Sequence, residues 1–324
     1  MAIELKKVFK YHGEPIQEDE NSDDFEIFSY TQTLKYIREE IIKPTILKNK
    51  DLNIQIFVVN NFEVNAHAIK LDTNEYVIII KSGLIKFAME TCGYEIDFLK
   101  KELKSLGDHN DIMAFYIYFT MLYFSGHEFG HIINGHLELS ENDYMIDEKS
   151  LIDICNINEL PNNLKENPNL FRHLLELNAD KLSIIFLARG VLNLLIKFQE
   201  DFNKNTLNEL IKLVVYNVYL THYKFGFFDN NSKNYPTHFF RAYTIIYNFP
   251  KVLMPLFKEE THDNIDKVAN LACYNMFDYL SDNDEDFMNE NSKEDIFTYN
   301  GDISSLYTKE HASFTKFLEK YTML

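Results

Sequence analysis

The stretch IMAFYIYFTMLYFSGHEFGHIINGH, residues 112–136, begins as an apolar run and ends with three histidines and a glutamate within ten positions. A helix drawn through residues 112–124 has no polar face, so it belongs inside the protein rather than on its surface. The run is also shorter than the roughly 18 residues a membrane span requires. The sequence therefore predicts a fold arranged around a buried helix whose C-terminal turns carry polar chemistry. His127 and His131 stand four apart, about 40° around a helix axis, and share one face. Their imidazoles can reach one ion at the usual zinc–nitrogen distance of about 2.1 Å. Glu128 lies beside that face, where a carboxylate can hold a water instead of ligating, the general-base position of a metal-dependent hydrolase. Polar groups buried on such a helix cost free energy unless something satisfies them.

HExxH also arises by chance, so the site needs a second element. A catalytic zinc takes three protein ligands and a water. The metzincin spacing would need a glycine at 134 and a histidine at 137; the chain has Asn134 and Leu137, which excludes that class. His136 follows His131 by five positions, about 140° around the helix, and points away unless Gly135 breaks the helix first. It reads as a helix-end hydrogen-bonding group or a rim contact. The better third ligand lies 45 positions beyond His131, in RHLLELNADKLSIIFLA, residues 172–188. Glu176 and Asp180 are four apart on an apolar helix, where like charges repel unless something binds them. Glu176 as ligand, with Asp180 orienting a ligand histidine one turn later, is the pattern a zinc site uses. Ala179 between them is small enough for two helices to approach closely.

The rest of the chain fits a globular, mainly helical protein with a small N-terminal sheet, an α+β class. Hydrophobic residues make up 46% of the 324 positions and charged residues 25%, while Gly and Pro number only 10 and 7. Segments 52–60, 62–70 and 75–83 read as strands joined by turns at Asn60-Asn61 and Asp72-Thr73-Asn74, a small meander. YVIII is continuous, as a strand buried on both faces would be. Helices are predicted at 30–42, ended by Pro44, and at 84–91, 94–105, 110–135, 169–189, 191–200, 206–224, 237–248 and 309–322. Residues 1–28 read as an acidic segment, 29–250 as the main domain and 251–324 as a helical extension packed on it. The polar stretches 137–168 and 281–295 read as solvated loops.

A formal net charge of −18 repels phosphate backbones, which argues against nucleic acid as the main partner. The three cysteines, Cys92, Cys155 and Cys273, form no CxxC and suggest a reducing compartment. The N-terminus has no apolar core segment of a signal peptide, so the expected location is the cytoplasm.

HEFGH, then the ExxAD of residues 176–180, then YPTHFFR at 235–241, resembles the HtpX/Oma-type gluzincin metallopeptidases, which carry HExxH, ExxAD and HPxxxxR in that order. The segment VNAHAIKLDTNEYVIIIKSGLI, residues 64–85, is similar to the strand region of that family. In motif order and size the chain looks closest to the Lit-type phage-exclusion peptidases, which lack membrane spans. The likeness covers roughly residues 55–250. It implies a zincin-type fold and a zinc endopeptidase acting on a protein or peptide, in phage exclusion or protein quality control. His127, His131 and Glu176 would be the ligands, Glu128 the base and Asp180 a residue behind the ligands. Arg241 would steady Asp180, Glu176 or the substrate. Tyr235 replaces the leading histidine of the third motif. Either its phenol or His238, with Arg241, would stabilise an oxyanion, and substrate would add as a strand along 62–70 or 75–83. Two other functions remain open from the residues alone: a non-catalytic regulatory or interaction protein with a structural metal site, and an antirepressor-type peptidase that cleaves a repressor.

Overall fold

The computed structural model of the chain describes residues 2–46, 51–139, 168–197, 204–226, 238–283 and 316, and among these helix dominates over one small sheet. The mostly helical α+β architecture predicted from the sequence is present. Cys155, Tyr235, Pro236, most of the two polar stretches and the helix predicted at 309–322 (residue 316 apart) lie outside the described residues.

α1 (Ala2–His12) occupies the segment for which the sequence suggested no element. Leu5, Val8 and Phe9, at helical spacing, pack with Val59, Ile69, Val77 and Ile79 against one face of the sheet. α2 (Phe25–Tyr36) starts at Asp24, whose carboxylate accepts from the backbone N–H groups of Glu26 and Ile27. It continues through a π-helical turn, Ile37–Ile42, into a last turn at Lys43–Ile46. Pro44 therefore does not end the helix at 42; the wider π turn ahead of it relieves the clash its ring would make in a regular α-helix.

The strands are β1 (Asn53–Val59), β2 (Ala66–Asp72) and β3 (Glu75–Lys81). They do not form the predicted meander. The order is β1-β3-β2, with β1 parallel to β3 and β2 antiparallel to it. Only the β2–β3 connection is a tight hairpin, turning at Asn74 with φ +61°. The chain from Asn60 to Asn65 instead crosses to the far side of β3. Burial explains the order. β3 sends Tyr76, Ile78 and Ile80 into the main core and Val77 and Ile79 toward α1, so it must be central.

α3 (Ser82–Tyr94) and α4 (Ile96–Glu102) lead to α5 (His109–Ile133), which opens with a capping box between Asp108 and Asp111. Its residues from Tyr116 to Tyr123 are all buried, as the apolar run predicts. After Asn134 and Gly135, the latter at φ +71°, a short 3₁₀ turn spans His136–Leu139. α6 (Pro168–Lys197) is one helix of 30 residues, where the sequence suggested two separated near Gly190. α7 (Lys204–Lys224), α8 (His238–Leu253) and α9 (His262–Asn283) complete the described elements. α9 lies in the C-terminal extension and packs on α7 and α8 through Ile265, Ala269, Ala272 and Met276. No helix among the described residues is long and apolar enough to cross a membrane.

α5 and α6 form the most extensive helix pair among the described elements, and they approach closely at the motif. A Cβ at Gly130 would meet the backbone of Ala179, its oxygen at 2.6 Å and its Cα at 2.8 Å. Glycine facing alanine thus lets the two backbones come together, which brings side chains one turn away on each helix into contact.

Candidate metal centre

The last turns of α5 carry His127, Glu128 and His131; the facing turns of α6 carry Glu176 and Asp180. All five are buried, none more than 4% exposed. His127 Nε2 lies 3.1 Å from His131 Nε2 and 3.2 Å from Glu176 Oε2, and His131 Nε2 lies 3.7 Å from Glu176 Oε1. Ligands about 2.1 Å from a tetrahedral ion are separated by about 3.4 Å, so these spacings match one face of such a site. His127, His131 and Glu176 can therefore hold a metal ion.

The opposite edges of the two rings fix which nitrogens are available. His127 Nδ1 lies 2.9 Å from Asp180 Oδ1, to which it donates. Asp180 also receives Arg241 Nε at 2.9 Å on Oδ2 and Arg241 Nη2 at 2.8 Å on Oδ1. Burial alone would raise the Asp180 carboxyl, but Arg241 and His127 reverse this and hold it well below the usual range. Arg241 stays protonated: burial opposes its charge, and Asp180 more than restores it. With a carboxylate behind it, His127 carries its proton on Nδ1 and turns the Nε2 lone pair toward Glu176.

His131 reaches the same state by another route. His136 is completely buried, and this burial pushes its pKa down to about 3, so it is neutral. Its Nε2 lies 3.1 Å from Asn178 Oδ1, an acceptor, so that nitrogen is protonated and Nδ1 is not. His136 Nδ1 then accepts from His131 Nδ1 at 2.8 Å, leaving the His131 Nε2 lone pair on the inner side. Two imidazole lone pairs and a carboxylate thus converge, an arrangement that repels unless a cation joins it. The donor set fits a divalent ion of zinc's preferences.

His136 accordingly lies behind a ligand and not at the rim. Gly135 does break the helix, but it swings His136 to the outer edge of the His131 ring rather than toward the metal position. Arg241 is bidentate on Asp180, with Nη1 3.4 Å from Glu176 Oε2. Glu128 lines a pocket of about 120 Å³ that His238, Asn65, Phe124 and Phe225 also line. Tyr235 lies outside the described residues.

Three contributors escaped the sequence reading. The Tyr123 hydroxyl lies 2.9 Å from His222 Nε2, and Arg241 Nη2 donates to it at 3.3 Å. His222 Nδ1 lies 3.1 Å from His238 Nδ1. Burial lowers the His222 pKa well below the ordinary value, with His238 and Arg241 adding to the effect. Two signals existed. Tyr123 precedes His127 by one helical turn, and His222 ends a buried stretch of α7. Asn178 left none, because it sits between Glu176 and Asp180 with no spacing to mark it.

Comparison with protein-family models, curated proteins and solved structures finds no match to this chain.

Proposed function

We propose that this chain is a zinc-dependent endopeptidase. The observation that carries the reading is the convergence of His127, His131 and Glu176 on one point, with Glu128 beside them facing a pocket. Zinc held by those three side chains would supply a Lewis acid that polarises the scissile carbonyl and acidifies a water. Glu128 takes the proton of the attacking water and returns it to the leaving amine. Asp180 and Arg241 keep His127 in the Nδ1-protonated form, and His136 and Asn178 do the same for His131. His238 on the pocket wall donates to the developing oxyanion.

Sheet topology narrows where a substrate peptide would lie. β3 is paired on both sides, so of the two strand segments named above only β2 has an edge without a strand partner among the described residues. The residues leading into β2, Val64 and Asn65, line the pocket with Glu128. An extended peptide adding to this edge would bring its backbone past the general base. A purely structural metal site has no use for a pocket-facing carboxylate beside its ligands, which favours the enzyme over a regulatory protein. The proposed setting is the cytoplasm and the proposed target a protein, in phage exclusion or quality control.

The test separates metal binding from chemistry. Glu128→Gln should keep stoichiometric zinc and lose cleavage by about a hundredfold or more, whereas Glu176→Ala should lose zinc. New protein N-termini in cells expressing the wild type should disappear with Glu128→Gln. Identical N-terminal profiles, or full zinc content in Glu176→Ala, would overturn the reading.

A further inference from the structure

Arg241, Tyr123, His222 and His238 form a continuous hydrogen-bonded chain, and the direction of each bond follows from its neighbours. Asp180 is an acceptor at one end. Arg241 can only donate, and its Nη2 reaches both Asp180 Oδ1 at 2.8 Å and the Tyr123 oxygen at 3.3 Å. Having accepted from Arg241, the Tyr123 hydroxyl must place its own proton. Asp180 Oδ1 lies 3.5 Å away, at the limit of a hydrogen bond, and already receives Arg241 and His127. His222 Nε2 lies at 2.9 Å and is the better acceptor. His222 is then protonated on Nδ1 and donates to His238 Nδ1 at 3.1 Å. His238, accepting on Nδ1, carries its proton on Nε2. The Phe225 ring stacks on it, with centroids 5.5 Å apart and planes 19° from parallel, and fixes the orientation of the ring.

We propose that Tyr123 and His222 are positioning residues that hold His238 as its Nε2-protonated tautomer, so that His238 meets the pocket as a hydrogen-bond donor and not as a base. The oxyanion role of that donor rests on the peptidase reading; the tautomer does not. The arrangement gives the Asp180–Arg241 pair two outputs. Through His127 it orients a ligand, and through Tyr123 and His222 it orients a donor on the pocket wall about one side chain further out. The opposite polarity, with His222 donating to Tyr123 and Tyr123 to Asp180, would leave His238 Nε2 unprotonated. That alternative keeps the 2.9 Å contact with its direction reversed and sends the tyrosine proton to an oxygen 3.5 Å away that Arg241 and His127 already occupy.

Nitrogen-15 spectra of histidine-labelled full-length protein distinguish the two, because the protonated and unprotonated nitrogens of a neutral ring resonate far apart. Spectra are taken with and without zinc, and His238→Gln identifies the His238 signals. The expected wild-type result is His222 protonated on Nδ1 and His238 on Nε2. Tyr123→Phe removes the directing proton with little change in volume and should turn His238 into a mixture of tautomers. In the same variant kcat should fall about tenfold or more, with KM and zinc content unchanged, because the donor acts on charge that appears only in the transition state. A wild-type His238 unprotonated on Nε2, or tautomers unmoved by Tyr123→Phe, would overturn the proposal. The wild-type spectrum decides even if the variant fails to fold. A correct tautomer in a protein without peptidase activity would support the relay while removing the peptidase reading.

Discussion

His136 illustrates how a residue next to a motif can matter without joining the cluster that could hold a metal. Its ring turns the His131 Nε2 lone pair inward because its own Nε2 is committed to Asn178. Outer partners of this kind typically contribute ten- to a hundredfold in metal affinity. His136→Phe keeps the buried volume and removes the acceptor, so zinc affinity should fall about ten- to a hundredfold. Competition with a chromophoric chelator measures this, and an unchanged affinity would mean that His131 needs no partner. The cluster of His127, His131 and Glu176 was legible in the sequence, because helical spacing is rigid: His127 with His131, and Glu176 with Asp180, could be placed on common faces without a structure. Asp180 and Arg241 also meet, one of the placements that the resemblance implied for Arg241. The Tyr123–His222 contact could not be read, since it joins positions 99 apart whose meeting depends on how α5 and α7 pack.

At the scale of elements, the site depends on how closely α5 and α6 approach. Gly130→Ala offers a direct test, with two effects of opposite sign. Alanine gains up to about 1 kcal/mol of helix propensity. Against this, its methyl would sit 2.6 Å from the Ala179 oxygen and 2.8 Å from its Cα. These are backbone atoms, which cannot rotate aside, and overpacking of a core costs about 1–3 kcal/mol. The clash should win. The variant should unfold at lower urea concentration and bind zinc more weakly, because separating the helices moves Glu176 away from His127. A variant as stable as the wild type, with equal zinc affinity, would show that the two helices have slack. Periodicity predicted most helices but set their ends poorly. The sequence suggests a break at Gly190, yet this residue lies inside α6, where its missing side chain admits Leu122 of α5. The expected helical extension after residue 250 carried no bounds for α9, although an apolar stripe at 265, 269, 272 and 276 marks it. The sheet order was hidden for a different reason. Alternation reports which faces are buried, not which neighbour a strand takes, and only the double burial of β3 marks it as central.

For the whole molecule, the buried histidines set how stability responds to pH. His136 has its pKa lowered to about 3 by burial, and His222 is lowered well below the ordinary value for the same reason. In the unfolded chain both would titrate near the usual 6.5. Between these limits the unfolded state binds more protons than the folded one, so stability rises with pH and is lost as pH falls. The loss begins near pH 6.5 and continues down to about 3 for His136. Each histidine contributes a slope of up to about 1.4 kcal/mol per pH unit. Asp180 acts lower down. Its folded pKa lies below its unfolded value, so its contribution is full above about pH 4 and is lost as pH falls further. The large negative charge works the other way, since protonating surface carboxylates relieves repulsion, but an ordinary carboxyl group takes up its proton near pH 4, below the range of an ordinary histidine. Between pH 7 and 5 the histidines should therefore dominate. Urea unfolding of the chelator-treated protein at pH 7.5, 6.5 and 5.5 isolates this effect from that of a bound metal, which histidine ligands would release as they protonate. The midpoint should hold steady from pH 7.5 to 6.5 and then drop, and His136→Phe should make the drop shallower. A midpoint flat to pH 5.5 would mean that His136 and His222 are already charged in the folded protein. The His131–His136–Asn178 bonds, which require a neutral His136, would then not exist as described.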